Sequence, residues 1–204
     1  MGNACIQATA RRDKSSGAAA PTVWTLGHST RPLPEFLELL GRFRIEALAD
    51  VRRFPTSRRH PQYSATALEE VLTTRGIEYR WLPELGGRRK PRPDSPHTAW
   101  RNASFRGYAD HMDTTEFGRA FDALLELAQH RRTAIMCAEA LWWRCHRALI
   151  ADVLRVRGFE VMHIFDDSNS VAHPFTPAAR IVDGRLSYEA APSEPERARP
   201  RRSR

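Results

Sequence analysis

The stretch Thr133-Ala134-Ile135-Met136-Cys137-Ala138-Glu139-Ala140-Leu141-Trp142-Trp143-Arg144-Cys145-His146-Arg147 opens as a strand and closes as a helix. Thr133–Met136 is a short apolar run of buried-strand length, and Leu149, Ile150, Val153 and Leu154 then recur at helical spacing. Two thiols, a carboxylate, an imidazole and two guanidiniums lie between Cys137 and Arg147. Ligands of open α/β sheets sit where strands end and helices begin. Reactive groups this dense at such a turn point to an enzyme and leave the reaction open.

The same alternation extends in both directions. Upstream, Val23–Leu26 predicts a strand that ends in Gly27-His28-Ser29-Thr30, and Phe36, Leu37, Leu39, Leu40 and Phe43 predict a helix with Pro34 in its first turn. Ile45–Val51 predicts a second strand closing on Asp50-Val51-Arg52-Arg53. Ser64 can cap a helix carrying Leu68, Val71 and Leu72, with Gly76 as its stop. Ile77–Leu82 predicts a third strand, and residues 83–101 form a long Pro-, Gly- and Arg-rich loop. Helical pattern resumes near residue 103, with Phe117, Phe121, Leu124, Leu125 and Ala128 on one face. Downstream, the helix from about residue 146 stops at Gly158, and Phe159–Phe165 predicts a fifth strand ending at Asp166-Asp167. Asp183-Gly184 suits the turn of a terminal hairpin, Arg180–Val182 with Arg185–Tyr188.

Strands alternating with helices predict an α/β fold: a three-layer, Rossmann-like domain with a mostly parallel sheet, right-handed crossovers and a C-terminal hairpin. His28, Asp50, Arg52, Cys137, Glu139 and Asp166 all fall at or just past strand C-termini. A parallel sheet puts those ends on one edge, so residues distant in sequence can converge on one crevice.

Composition sets outer bounds. The 204 residues suffice for one domain with a substantial core, expected over residues 22–190. Residues 1–21 and 191–204 lack apolar periodicity and are expected to be disordered tails. The formal charge is +8, and the last fourteen residues hold five Arg against two Glu. A basic tail attracts polyanions without sequence preference. Three cysteines make no disulfide framework, and a cytoplasmic location fits them. No stretch approaches the ~18 apolar residues of a membrane helix, so no membrane association is expected. No dinucleotide fingerprint or P-loop occurs, which leaves the cofactor unassigned.

Gly27-His28-Ser29, Asp50-Val51-Arg52, Pro55, Ser57, Leu85-Gly86-Gly87 and the Met-Cys-x-Glu…Cys-His-Arg block together resemble the family DUF488, a domain of unknown function. The resemblance spans roughly residues 23–175 and implies an α/β domain without implying a chemistry. It singles out His28, Ser29, Asp50, Arg52, Cys137, Glu139, Cys145, His146 and Arg147. Leu141, Trp142 and Trp143 stand where the family pattern leads one to expect polar residues.

Each group admits a chemical reading and a structural one. Cys137 could be a nucleophile activated by Arg144, His146 or Arg147, or a small core residue. Cys-dependent phosphatase loops place an Arg where this chain has Trp143, which counts against that class. Cys137 and Cys145 could form a redox pair, although no Cys-x-x-Cys is present. Cys137, Cys145 and His146 could bind zinc, but adjacent Cys and His rarely point the same way. Arg52 and Arg147, helped by Ser29 and the start of the helix, could hold a phosphate, or could pair with Asp50 and Glu139. Asp50, Glu139 and His28 could move protons or serve as orienting groups. Trp142 and Trp143 could stack on a base or simply pack. His163, inside a strand, reads as a satisfied core histidine. The loop Arg52–Tyr63, together with Arg88-Arg89-Lys90-Pro91-Arg92, interleaves cations with aromatics as single-stranded nucleic-acid surfaces do.

The expected function is therefore a hydrolase acting on a glycosidic or phosphoester bond of a nucleotide or nucleic acid. Asp50, Cys137, Glu139 and His28 would be catalytic, and Ser29, Arg52, Arg147, His146, Trp142 and Trp143 would bind substrate. The alternatives are a non-catalytic nucleic-acid-binding module and a Cys-dependent redox or zinc protein.

Overall fold

The apolar runs pair into one six-stranded sheet. The computed structural model describes residues 20–56 and 59–191. Apart from residues 20, 21 and 191, the expected tails lie outside the described residues, as do Ser57 and Arg58. The strands are β1 (Thr22–Gly27), β2 (Ala47–Asp50), β3 (Glu78–Trp81), β4 (Thr133–Cys137), β5 (Glu160–Ile164) and β6 (Ser170–Ala172). Their order across the sheet is β3-β2-β4-β1-β5-β6. The first five run parallel, and β6 pairs antiparallel with β5 at the edge. A separate hairpin joins β7 (Arg180–Val182) to β8 (Arg185–Ser187). Asp183 and Gly184 both take positive φ there, the backbone a type I′ turn requires.

Side-chain alternation along the strands decides which helix covers which face. Trp24, Leu26, Leu48, Ala134 and Met136 meet α1 (Leu33–Arg42) and α2 (Ala65–Thr73) through Phe36, Leu40, Leu68 and Leu72. Val23, Ala49, Val51, Ile135, Cys137 and Val161 meet the helices of the other face: α3 (Ala103–Met112), α4 (Thr115–His130) and α5 (Arg147–Val156). The result is three layers around two apolar cores. Each fully buried Leu or Phe stabilises it by about 1.5–3 kcal/mol. The Ser64 hydroxyl caps α2 by accepting from the Ala67 N–H.

Two local features differ from the sequence reading. The helical region after residue 103 is two helices, because Thr114 accepts the Phe117 N–H and starts a new one. Strand β6 was not anticipated. Its three residues are too few to show a period, and its edge position leaves Val171 exposed. No helix among the described residues is long and apolar enough to cross a membrane.

Candidate functional site

Strands β4 and β1 are neighbours, but the chain leaves them toward opposite faces: β1 leads into α1, and β4 leads into α5. Such a reversal opens a crevice at the strand C-termini. Here the crevice is a cavity of ≈ 780 Å³. His28 and Ser29 enter it from β1, Arg52, Arg53 and Phe54 from β2, Cys137 and Glu139 from β4, and Arg144, Cys145 and His146 from the turn before α5. Gly87 and Arg88, with Ser104, Phe105 and Tyr108 of α3, close the remaining side.

Gly27 lets this junction form. A Cβ on it would lie 2.0 Å from the Glu139 carbonyl oxygen, so only glycine lets the β4 loop cross the end of β1. The N–H groups of His28 and Ser29 donate to the Cys137 and Ala138 carbonyls, each at 3.0 Å, and fix the two loops together.

Asp50 does not face the cavity. It is fully buried, and its carboxylate accepts from Arg52 Nε at 2.8 Å, from the Arg52 N–H at 3.0 Å and from the Tyr79 hydroxyl at 2.7 Å. With the second Arg52 guanidinium nitrogen also donating, the pair is bidentate. Asp50 therefore orients Arg52, the structural alternative raised above. Arg52 passes one further N–H to His28 Nε2 at 3.2 Å. A guanidinium cannot accept, so that nitrogen of His28 carries no proton. Burial, and then the nearby Arg52 charge, lower the His28 pKa to about 4. The ring stacks on Tyr63 with centroids 4.1 Å apart.

Arg147 is also turned inward. It is only 1 % exposed and donates to the Thr25 hydroxyl and to the carbonyls of Glu139 and Ala140. Its contacts hold the β4 loop, and it does not line the cavity. The polar chain continues through the core. Thr25 Oγ1 meets His163 Nδ1 at 2.7 Å, His163 Nε2 meets His173 Nδ1 at 2.9 Å, and His173 Nε2 meets Asp152 at 3.0 Å. Asp152 accepts as well from the Thr176 and Tyr188 hydroxyls. A single assignment satisfies every link, with each group donating toward Asp152. His163 is thus the satisfied core histidine expected. Trp142 lies flat on His163, with centroids 4.3 Å apart and planes at 5°. Trp143 is half exposed, and neither tryptophan lines the cavity. Asp166 is also absent from it: β5 lies beyond the switch point, and Asp166 bonds Ser168 in its own turn.

Glu139 differs from the other two acids. It is exposed on the cavity wall, and its carboxylate has no hydrogen bond or ion pair among the described residues. Beside it, Cys145 Sγ lies 3.6 Å from His146 Nδ1, while His146 Nε2 lies 3.0 Å from the Val51 carbonyl. Cys137 and Cys145 are hydrogen-bonded to each other. Burial raises the Cys145 thiol, but the bond from Cys137 and the nearby His146 and Arg147 bring it well below its ordinary range. That bond to Cys145, together with burial, pushes the Cys137 thiol up.

Arg53 and Phe54 belong to the basic, aromatic loop that the sequence marked, whereas sequence reasoning did not single out the residues at the start of α3 on this wall. Their signal was weak, because Asn102, Ser104 and Phe105 sit at an ordinary helix start. The Gly86-Gly87 pair did carry a signal. A Cβ on Gly87 would come within 2.8 Å of His146 Nδ1, and one on Gly86 within 2.7 Å of Arg53.

Fold and site together define a three-layer α/β protein with a polar, cation-rimmed crevice at a topological switch point. The chain belongs to the family described as "Domain of unknown function DUF488", which matches residues 32–154. No curated protein and no solved structure matches it.

Proposed function

We propose that this protein is an enzyme that hydrolyses a glycosidic or phosphoester bond in a nucleotide or nucleic acid bound in the crevice. One observation carries the reading. Glu139, a carboxylate without a partner among the described residues, lies on the wall of a ≈ 780 Å³ cavity whose other charged side chains are cationic. Arg53, Arg88 and Arg144 are exposed around it, and none forms an ion pair among the described residues. Guanidiniums favour phosphate, and this volume suits a ligand of nucleotide size. Phe54 and Phe105 supply faces on which a base can stack.

In this reading Glu139 takes a proton from the attacking water. His28, held neutral, and the Ser29 hydroxyl orient the substrate. Asp50, Arg52 and Arg147 keep the walls in place. The test is turnover on a panel of nucleoside monophosphates and short oligonucleotides, followed by chromatography. Glu139→Gln should bind like wild type and turn over about 10²–10⁴-fold more slowly. An undiminished rate in that variant would remove the assignment. The exposed Phe54, with Arg53 5.5 Å above its ring, favours a second reading in which the crevice only binds single-stranded nucleic acid. Binding without turnover by the wild type would select that one.

A further inference from the structure

We propose that Cys137, Cys145 and His146 bind one transition-metal ion, zinc by their donor set, through two sulfurs and Nδ1, with a fourth position open to the cavity. Cysteine followed directly by histidine argues against shared ligation, because neighbouring side chains usually diverge. A change of backbone conformation between the two removes the objection. Cys145 is extended (φ −126°, ψ 148°) after the 3₁₀ turn Trp142–Arg144, whereas His146 is helical (φ −57°, ψ −16°) as the first residue before α5. Both side chains then swing to the same side, where Cys137 arrives from the end of β4. The three donor atoms lie within 4.8 Å of one another. Bond lengths of about 2.3 Å to sulfur and 2.0–2.1 Å to nitrogen put tetrahedral ligand atoms about 3.5–3.8 Å apart. Gathering the three around an ion therefore needs side-chain adjustment and no refolding.

The histidine is already oriented for the task. The Val51 carbonyl can only accept, so Nε2 carries a proton and Nδ1 is the nitrogen that faces the sulfurs, available to a metal once any proton on it leaves. Metal-bound histidines are fixed in this way, with the far nitrogen donating to a carbonyl or carboxylate. Gly87 leaves space beside Nδ1, and the Tyr108 ring, 5.1 Å away, packs against the imidazole. A disulfide or a lone Cys–His nucleophile would use two of these three groups and leave the third unexplained. Metal binding releases the thiol protons, giving two thiolates against the dication.

Three protein ligands with an open position form the arrangement of catalytic zinc, in contrast to closed structural sites. The open position would lie in the cavity that Glu139 lines. The inference does not depend on which substrate the cavity takes.

The test uses the full-length protein, purified under reducing conditions without chelator. Elemental analysis should find about one zinc per chain. Cobalt exchange should give a sulfur-to-cobalt charge-transfer band and tetrahedral d–d absorption. Cys137 and Cys145 should then be protected from a thiol reagent and become reactive when a chelator removes the metal. Cys145→Ser and His146→Ala should lose the metal, and Cys5→Ser should keep it. Three results would overturn the proposal. One is folded protein that retains less than about a tenth of an equivalent after dialysis against zinc. Another is a Cys137–Cys145 disulfide in freshly purified protein. The third is full occupancy in Cys145→Ser. If the variants fail to fold, the cobalt spectrum of the wild type decides, and a spectrum without the sulfur band rules the site out.

Discussion

Replacing Asp50 with asparagine keeps the shape of the side chain and removes its charge. In the wild type that carboxylate is fully buried and accepts from the Arg52 side chain, the Arg52 backbone and Tyr79. Asp50→Asn leaves the Arg52 guanidinium buried beside a neutral amide, whose own N–H₂ faces donors. Breaking a buried pair from one side costs about 3–5 kcal/mol. That is a large share of the about 5–15 kcal/mol that keeps a domain folded. With a urea m-value of about 2 kcal/mol/M, the unfolding midpoint should fall by about 1.5–2.5 M. The assay is urea denaturation followed by circular dichroism on wild type, Asp50→Asn, Arg52→Met and the double variant Asp50→Asn/Arg52→Met. Removing both charges leaves neither uncompensated, so the double variant should cost less than the two single changes added together. A loss below about 1 kcal/mol for Asp50→Asn, or strict additivity in the double variant, would refute the assignment of Asp50 as the anchor of Arg52.

Acid should destabilise the protein through His163. Burial, then His173, then Arg147 lower its pKa to about 2, so the folded protein holds it neutral while the unfolded chain takes up a proton below 6.5. Its contribution is complete above pH 6.5 and is lost as pH falls toward 2, by up to about 1.4 kcal/mol per pH unit. Urea midpoints at several pH values should show a shallower acid limb in His163→Gln, and identical limbs would contradict the burial argument. Gly27→Ala should cost at least about 1–3 kcal/mol in thermal or chemical unfolding, because the new methyl meets the Glu139 carbonyl and the β4 loop must move. An unchanged midpoint would show that the loop gives way freely. Arg147→Met should cost about 1–3 kcal/mol for each buried acceptor left unpaired, since Thr25, the head of the buried polar chain, and two loop carbonyls lose a donor. Equal losses for Arg147→Met and the exposed Arg144→Met would argue against that chain.

Most of the architecture was legible because it rests on periodicity. Buried strands as short as Ala47–Asp50 still announce themselves as apolar runs between helical patterns, and Asp183-Gly184 marks the hairpin. The convergence of strand ends followed from the parallel sheet, and His28, Ser29, Arg52, Cys137, Glu139, Cys145 and His146 do share the cavity. Direction was the part that sequence could not supply. Asp50 and Glu139 both sit at strand ends, but Asp50 points beneath the sheet edge to Arg52 and Tyr79 while Glu139 faces outward on the next loop. Arg147 looks from its sequence position like a substrate cation, yet it turns into the core because Thr25 and two loop carbonyls wait there. The Cys145–His146 convergence depends on one change in backbone dihedral angles that no residue type dictates. The tryptophans gave a misleading signal for a similar reason, because the partner of Trp142, His163, lies on a strand across α5.

The central claim is that the crevice is a site for a phosphate-bearing ligand. The direct measurement is equilibrium binding of a short single-stranded oligonucleotide and of nucleoside monophosphates over a range of salt concentrations. It compares wild type, the variant Arg53→Glu/Arg88→Glu/Arg144→Glu, and a charge-matched control, Arg42→Glu/Arg75→Glu/Arg119→Glu, on exposed residues outside the cavity. The account predicts that the cavity variant alone loses binding of both ligands, and that any residual oligonucleotide affinity has a log–log salt slope flatter by about 2, at about 0.7 per phosphate contact. Equal losses in the two variants, or no binding of any nucleotide or oligonucleotide by the wild type, would contradict it.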